Sequence, residues 1–245
     1  MCGRYVLYGP DSRLVEAFDI AEMPPFRPRY NVAPQTEVLV VRARPDGSRI
    51  AELVRWGLIP AWAKDPAIGL KTINARSETA AAKPAFRAAF RRSRCIVPAN
   101  GFYEWQAQPG RSRKQPFYIR PARGAFFGFA GLLERWQGPD GAVASCAILT
   151  CEANAAMAPV HDRMPCILSA DDYARWLDPD RRDADALQAL LRPAPDDTLA
   201  LHPVSPAVGN ARNEGPALIE PFAAGEPSPA AAFDASTPPP TDPPR

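Results

Sequence analysis

Two adjacent stretches set the pattern of the chain. Glu37–Arg44 (EVLVVRAR) is a dense apolar run, and Arg49–Trp56 (RIAELVRW) mixes apolar and charged positions. Pro45-Asp46-Gly47 lies between them, so the pair reads as a strand, a tight turn and a second strand. Further strand-like runs follow at Arg94–Val97, Gly101–Trp105, Pro116–Ile119, Ala125–Leu132 and Val143–Thr150. Helical spacing is scarcer. Leu14, Val15 and Phe18 follow Asp11 and Ser12, either of which would cap a short helix. Pro84 suits the first turn of a helix running to about Arg92. Ser169–Asp172 opens another that carries Tyr173, Trp176 and Leu177, and Asp183–Leu191 would form a fourth. Many strands with few long helices between them predict an α+β domain. Its core would be a mostly antiparallel sheet, curled or barrel-like so that few edges stay open, with short flanking helices.

No linker composition interrupts residues 1–222, so they are expected to form a single domain. Residues 223–245 are rich in Pro and Ala with little to bury and are expected to be disordered. Of the 245 residues, 46% are hydrophobic, enough for a sizeable core. No apolar run approaches the ~20 residues that span a bilayer, and no charged-then-apolar secretory signal opens the chain. The expectation is a protein away from membranes, in the cytoplasm. Five cysteines (Cys2, Cys95, Cys146, Cys151, Cys166) form no C-x-x-C pair, which points to reduced thiols and against zinc. Neither metal nor cofactor is expected. The net charge of +2 hides an asymmetry: residues 1–120 hold 20 Lys/Arg against 10 Asp/Glu, and residues 121–245 hold 9 against 17. A basic face available to a polyanion is one reading, and pairing of the two halves within one fold is the other. Arg87, Arg91, Arg92 and Arg94 form the densest basic run, and in a helix Arg87, Arg91 and Arg94 would share a face.

Cys2 is the sharpest chemical candidate. Initiator Met is normally removed when the second residue is small, which would leave a cysteine with a free α-amine and a free thiol on one Cα. An amine attacks an aldehyde to give a Schiff base, and the neighbouring thiol can then close a thiazolidine ring. Glu104 sits between aromatics in Gly101-Phe102-Tyr103-Glu104-Trp105. Facing inward, it would be desolvated and tuned for proton transfer; facing outward, it would be ordinary surface. His161, in a Pro-bounded loop beside Asp162 and Arg163, is an acid–base candidate or a hydrogen-bonded structural histidine. His202 alternates with apolar residues and reads as structural. Asn74-Ala75-Arg76-Ser77-Glu78 would hold a phosphate or start a helix. Trp56 and Trp62 bracket a Gly/Pro segment and would fill core or stack on unpaired bases.

These segments occur in a fixed order: Met1-Cys2-Gly3-Arg4, Tyr30–Pro34, Arg55–Pro60, Asn74–Thr79, Arg94–Ala99, Gly101–Trp105 and His161–Pro165. The order closely resembles the SOS response-associated peptidase (SRAP) family from Cys2 to about Pro221, leaving the Pro-rich tail outside. The resemblance implies binding to single-stranded DNA, or to a single-strand/duplex junction, and covalent attachment to abasic sites. It implies a thiazolidine between processed Cys2 and the ring-opened sugar, with Met1 removing itself. By the same resemblance Cys2 supplies amine and thiol, and Asn74 positions the sugar or the amine. Glu104 moves protons, and His161 acts as acid–base at the sugar oxygen. Arg4, Arg76, Ser77 and Arg163 look like phosphate-binding positions, while Pro34 and Trp62 resemble a wedge that stacks on a base. Arg87, from the basic run, joins the candidate DNA contacts. The expected partner is abasic DNA, bound by a monomer that associates with the nucleoid when engaged. Two other classes stay open beside it. One is an N-terminal-nucleophile cysteine peptidase or amidase using Cys2 with His161 or its own amine as base. The other is a passive single-stranded DNA binding module.

Overall fold

The computed structural model describes residues 2–222; the tail expected to be disordered, residues 223–245, lies outside the described residues. Fourteen strands are present among them: β1 (Tyr5–Leu7), β2 (Ile20–Glu22), β3 (Arg29–Val32), β4 (Glu37–Ala43), β5 (Arg49–Trp56), β6 (Asn74–Arg76), β7 (Arg94–Ala99), β8 (Gly101–Gln106), β9 (Gln115–Pro121), β10 (Phe127–Gly138), β11 (Gly141–Glu152), β12 (Arg163–Pro165), β13 (Ile167–Leu168) and β14 (Leu199–Pro203). The α-helices are short: α1 (Asp11–Phe18), α2 (Ser77–Ala80), α3 (Arg87–Arg92), α4 (Tyr173–Leu177) and α5 (Ala184–Gln188).

The predicted barrel-like sheet is present. Strands β11, β10, β7, β4 and β5 pair antiparallel in that order. The ring closes where β5 meets β11 in parallel, Arg55 opposite Ser145 and Trp56 opposite Cys146. Closure explains why these strands read as apolar runs rather than clean alternation. Every residue of β7 is buried, as are Phe127–Leu133 of β10 and Ser145–Cys151 of β11, because both of their faces are covered. A second sheet, all antiparallel in the order β14-β9-β8-β1-β3, packs against the barrel.

Aromatic rings join the two sheets. Tyr5 of β1 meets Trp56 of β5 edge-on at 5.4 Å and Phe129 of β10 at 6.4 Å; Phe102 of β8 meets Phe129 at 5.9 Å. Each such pair adds about 0.5–1.5 kcal/mol beyond its buried area. The outer face of the small sheet buries Val6, Tyr103 and Tyr118 under Val204, Val208 and Leu218. His202 is structural, its Nε2 lying 2.8 Å from the Ile219 carbonyl.

Local expectations shift in three places. Helix α1 follows Pro10 and begins at Asp11, with no side-chain cap, and it ends on Asp19 in the left-handed region. The helix expected from Pro84 begins only at Arg87, because the Lys83 carbonyl first accepts from both Phe86 and Arg87 in a tight turn. The shared arginine face does not form. Arg94 lies in β7, buried, with its guanidinium on the carbonyls of Phe90, Trp176, Asp178 and Arg181 and 5.6 Å from the Trp176 ring centre.

One crossing is intolerant of bulk. Gly57 has φ +138°, and a Cβ there would sit 2.5 Å from both Gln35 Nε2 and the Gly69 carbonyl oxygen. Gln35, itself left-handed at φ 69°, donates to Gly69 and accepts both Nε and Nη2 of Arg55. Gly57→Ala is therefore expected to destabilise the protein by at least about 2 kcal/mol, combining backbone strain with a backbone clash. Urea unfolding checks this, and a loss under about 0.5 kcal/mol would show that the crossing yields.

Candidate active site

The seam between barrel and small sheet holds the candidate residues. Cys2 precedes β1 and is wholly buried. Its carbonyl accepts a 2.8 Å hydrogen bond from Asn74 Nδ2. Asn74 opens β6, which pairs in parallel with β11, Asn74 opposite Ile148. The barrel wall thus presents Asn74 while the small sheet presents the residues after Cys2. Asn74 Oδ1 is buried without a hydrogen-bond partner among the described residues. A buried amide oxygen left so costs about 1–3 kcal/mol, and it is an acceptor poised for an incoming donor.

Glu104 lies on β8, beside β1, where the Tyr103 amide donates to the Arg4 carbonyl. Of its two possible orientations it takes the inward one, with 3% of its surface exposed. Burial raises its carboxyl from 4.5 to about 7. The Cys2 thiol is raised as well, by burial first and then by the Glu104 charge beside it. Sequence alone left that direction open, with Arg4 set against Glu104. Arg4 opposes the rise only through its backbone, because its guanidinium faces away onto Asn31 Oδ1 and the carbonyls of Val208 and Gly209.

His161 sits between β11 and β12, its Nε2 4.0 Å from Glu104 Oε2. Its Nδ1 accepts from the Arg163 amide at 2.9 Å and lies 2.9 Å from Asp162 Oδ1. In the neutral ring, acceptance from Arg163 puts the proton on Nε2, toward Glu104. In the protonated ring, Nδ1–H turns to Asp162. Partial burial holds the imidazole below its usual value, with Asp162 opposing. A neutral imidazole and a carboxyl that titrates near 7 form a pair able to exchange a proton around neutrality.

The candidate DNA contacts fare unevenly. Arg76 is exposed and lines a cleft of about 520 Å3 with Glu152, Ala153, Ala158, Asp162 and Arg163. Arg163 is already engaged: Nη1 and Nη2 fork onto the Glu78 carboxylate at 2.6 and 2.9 Å, and Nη2 also reaches the Thr150 carbonyl. That pairing lowers the Glu78 carboxyl and raises Arg163. Ser77 is buried and bonds toward Cys166. Pro34 is half-buried beside the Gln35 crossing, and Trp62 stands 60% exposed, its Nε1 on the Pro84 carbonyl. Trp56 is core. Arg87 is exposed on α3, which packs on β7 and β10 rather than on the strands that carry the Cys2 cluster. Gln35 escaped sequence reasoning, and Glu78, read there within the Asn74–Glu78 cluster, was not paired with Arg163, since both roles rest on partners distant in sequence. No group of three or more His, Cys, Asp or Glu side chains among the described residues is placed to hold a metal.

A closed barrel with a flanking antiparallel sheet, packed around a buried Cys2, defines the class of fold to which this chain belongs. The model of the SOS response associated peptidase (SRAP) family matches residues 1–211, and the chain belongs to that family. The abasic site processing protein YoqW of Bacillus subtilis is 42% identical over 224 residues, spanning 90% of this chain and 99% of that protein. The abasic site processing protein HMCES of Xenopus tropicalis is 34% identical, over 78% of this chain and 65% of that protein. A solved structure of a protein from Bordetella bronchiseptica superposes with a TM-score of 0.73 at 28% identity, covering 83% of this chain and all of the other.

The raised Glu104 carboxyl makes stability fall with pH. Below pH 4.5 it is protonated in folded and unfolded chains alike. Between 4.5 and about 7 the unfolded chain releases the proton while the folded one keeps it, so folding loses on the order of 3 kcal/mol. Glu104→Gln is expected to remove that fall, gaining on wild type at pH 8 relative to pH 5. Urea melts at both values measure it, and identical pH dependence of the two proteins would mean that Glu104 is ionised in the fold.

Proposed function

We propose that this chain is an abasic-site processing protein that joins itself covalently to ring-opened abasic DNA through processed Cys2. The observation that carries the reading is Cys2 itself: wholly buried, held at its carbonyl by Asn74, and beside Glu104. Family membership and the abasic site processing for which the YoqW and HMCES relatives are named support it.

In this reading removal of Met1 frees the Cys2 α-amine, whose ordinary pKa of about 7.7–8.0 leaves a usable neutral fraction at pH 7. The amine attacks C1′ of the open sugar, and the new C–N bond gives a carbinolamine. Glu104, protonated on part of the molecules at pH 7, gives a proton to the departing hydroxyl and takes one back from the nitrogen, so that water leaves and an imine forms. The Cys2 Sγ then bonds to C1′, its proton ends on the former imine nitrogen, and the thiazolidine closes; one water is lost overall. The raised thiol suits this order, because a neutral thiol stays out of the way until the imine offers an electrophile. The same burial weighs against a peptidase, whose attacking cysteine needs a lowered pKa. His161 would pass protons to and from Glu104 at the sugar oxygen. Arg76, exposed in the adjoining cleft, is the cation we assign to phosphate in preference to Arg4 and Arg163, whose terminal guanidinium nitrogens already bond within the fold.

Incubating the protein with a single-stranded oligonucleotide carrying one abasic site is expected to give a denaturant-resistant adduct, seen as a mass shift. Cys2→Ala should bind the oligonucleotide and give none; an adduct at wild-type yield from that variant would sink the proposal. Cys2→Ser should give an imine that borohydride traps but no ring stable without it. Protein whose mass retains Met1, or that carries an N-terminal tag, should be inert, since its Cys2 nitrogen is an amide. Efficient crosslinking by such protein would assign the amine's role elsewhere.

A further inference from the structure

The strand that carries Glu104 ends in a basic loop. β8 stops at Gln106, and the chain turns through residues 107–114 into β9, where Gln106 pairs with Gln115 and Glu104 with Phe117. Gly110, at φ +71°, makes the turn, and the Arg111 amide donates to the Gln108 carbonyl. Arg111, Arg113 and Lys114 project from it, all exposed, and none forms an ion pair among the described residues. This contrasts with Arg4, Arg94 and Arg163, whose terminal guanidinium nitrogens bond to acceptors within the fold, and with Arg42, Arg44 and Arg135, which carry carboxylate partners. Three unpaired cations within four residues attract anions at the cost of mutual repulsion, which a bound polyanion relieves.

The loop is also tied to the reactive seam. Its base is two residues from Glu104, about 7 Å along an extended strand. Gln106 Nε2 donates to the Pro159 carbonyl at 3.0 Å, pinning β8 to the segment that carries His161. The Lys114 charge is felt at both Glu104 and His161. Arg111, Arg113 and Lys114 line an open cleft of about 640 Å3 with Gln108, Gln115 and Phe222.

We propose that the Arg111–Lys114 loop is a phosphate-binding arm that holds the single strand on one side of the abasic nucleotide. The sugar would enter the seam at Glu104 while the flanking backbone phosphates run along the loop. Arg76 would take the backbone in the other cleft, on the β11–β12 side. The arm reads charge alone, so it adds affinity without base preference. The proposal rests on the reading that this chain binds single-stranded DNA, and its test does not need the covalent chemistry.

Binding of an undamaged 20-nucleotide single strand is measured in the Cys2→Ala background at a series of salt concentrations. Each single-strand phosphate contact contributes about 0.7 to the slope of log K against log salt. Replacing Arg111, Arg113 and Lys114 together by Ser should flatten the slope by about 2, and Lys114→Ser alone by about 0.7. The double variant Arg111→Lys/Arg113→Lys, which keeps the charge, should retain the wild-type slope. An unchanged slope in the triple variant, with an unchanged thermal midpoint, overturns the arm. So does a weakening that Lys fails to restore, since that would be shape rather than charge. If wild-type protein gives no adduct with abasic DNA while these slopes behave as expected, the covalent reading fails and the arm stands.

Discussion

The parallel pairing of β5 with β11 is the constraint on which the rest depends. It turns an open antiparallel sheet into a ring, and it brings Trp56 beside Cys146. The chain leaving Trp56 at once meets the Gly57–Gln35–Gly69 crossing, then returns as β6 alongside the same β11, two residues further on at Ile148. That return places Asn74 at the seam. The Cys2 carbonyl that Asn74 holds is therefore positioned by a barrel closure made far down the chain, between Trp56 and Cys146. Trp56 serves both ends of this chain of dependence: its ring packs on Tyr5 of β1, and its Nε1 donates to the Ile73 carbonyl, one residue before Asn74. A change at the closure would reach the chain start through two routes.

Burial then does chemical work. A terminus is normally solvated and frayed, and here the second residue has no exposed surface. Desolvation keeps both the Cys2 thiol and the Glu104 carboxyl toward their neutral forms, so the seam holds two latent acids next to one imidazole. Neutral partners cost far less to bury than an ion pair would. Among the described residues Asn74 Oδ1 has no hydrogen-bond partner, so the same seam carries one buried acceptor whose desolvation is not offset.

Legibility in the sequence followed element length. β4, β5, β10 and β11 run for seven to twelve residues, so their pattern is readable within one segment. β1, β6 and β12 have three residues each, too few for a period, and exist only because a distant strand pairs with them. They carry or adjoin Cys2, Asn74 and His161, so the site lies on the least legible part of the fold. The order of motifs still singled these residues out, yet it carried no partner information. Arg4 and Arg163 look like phosphate ligands in one dimension, and their acceptors lie 27 and 204 residues away for Arg4 and 85 for Arg163. The orientation of Glu104 was undecidable because its neighbours on both sides are aromatic, and only a second covered face resolves it.

The same logic separates the cations that hold the fold from those that remain to bind. An arginine whose donors meet carbonyls or a carboxylate has already exchanged its hydration for protein contacts, and recruiting it to a phosphate would mean breaking them. Arg4 fastens β1 to the 208–209 turn, Arg94 ties β7 to the end of α4, and Arg163 locks β12 to Glu78. Arg76 and the Arg111–Lys114 loop have no such commitments, and they flank the seam from its β11–β12 side and its β8–β9 side. A strand laid between them would cross the opening in front of Glu104 and His161.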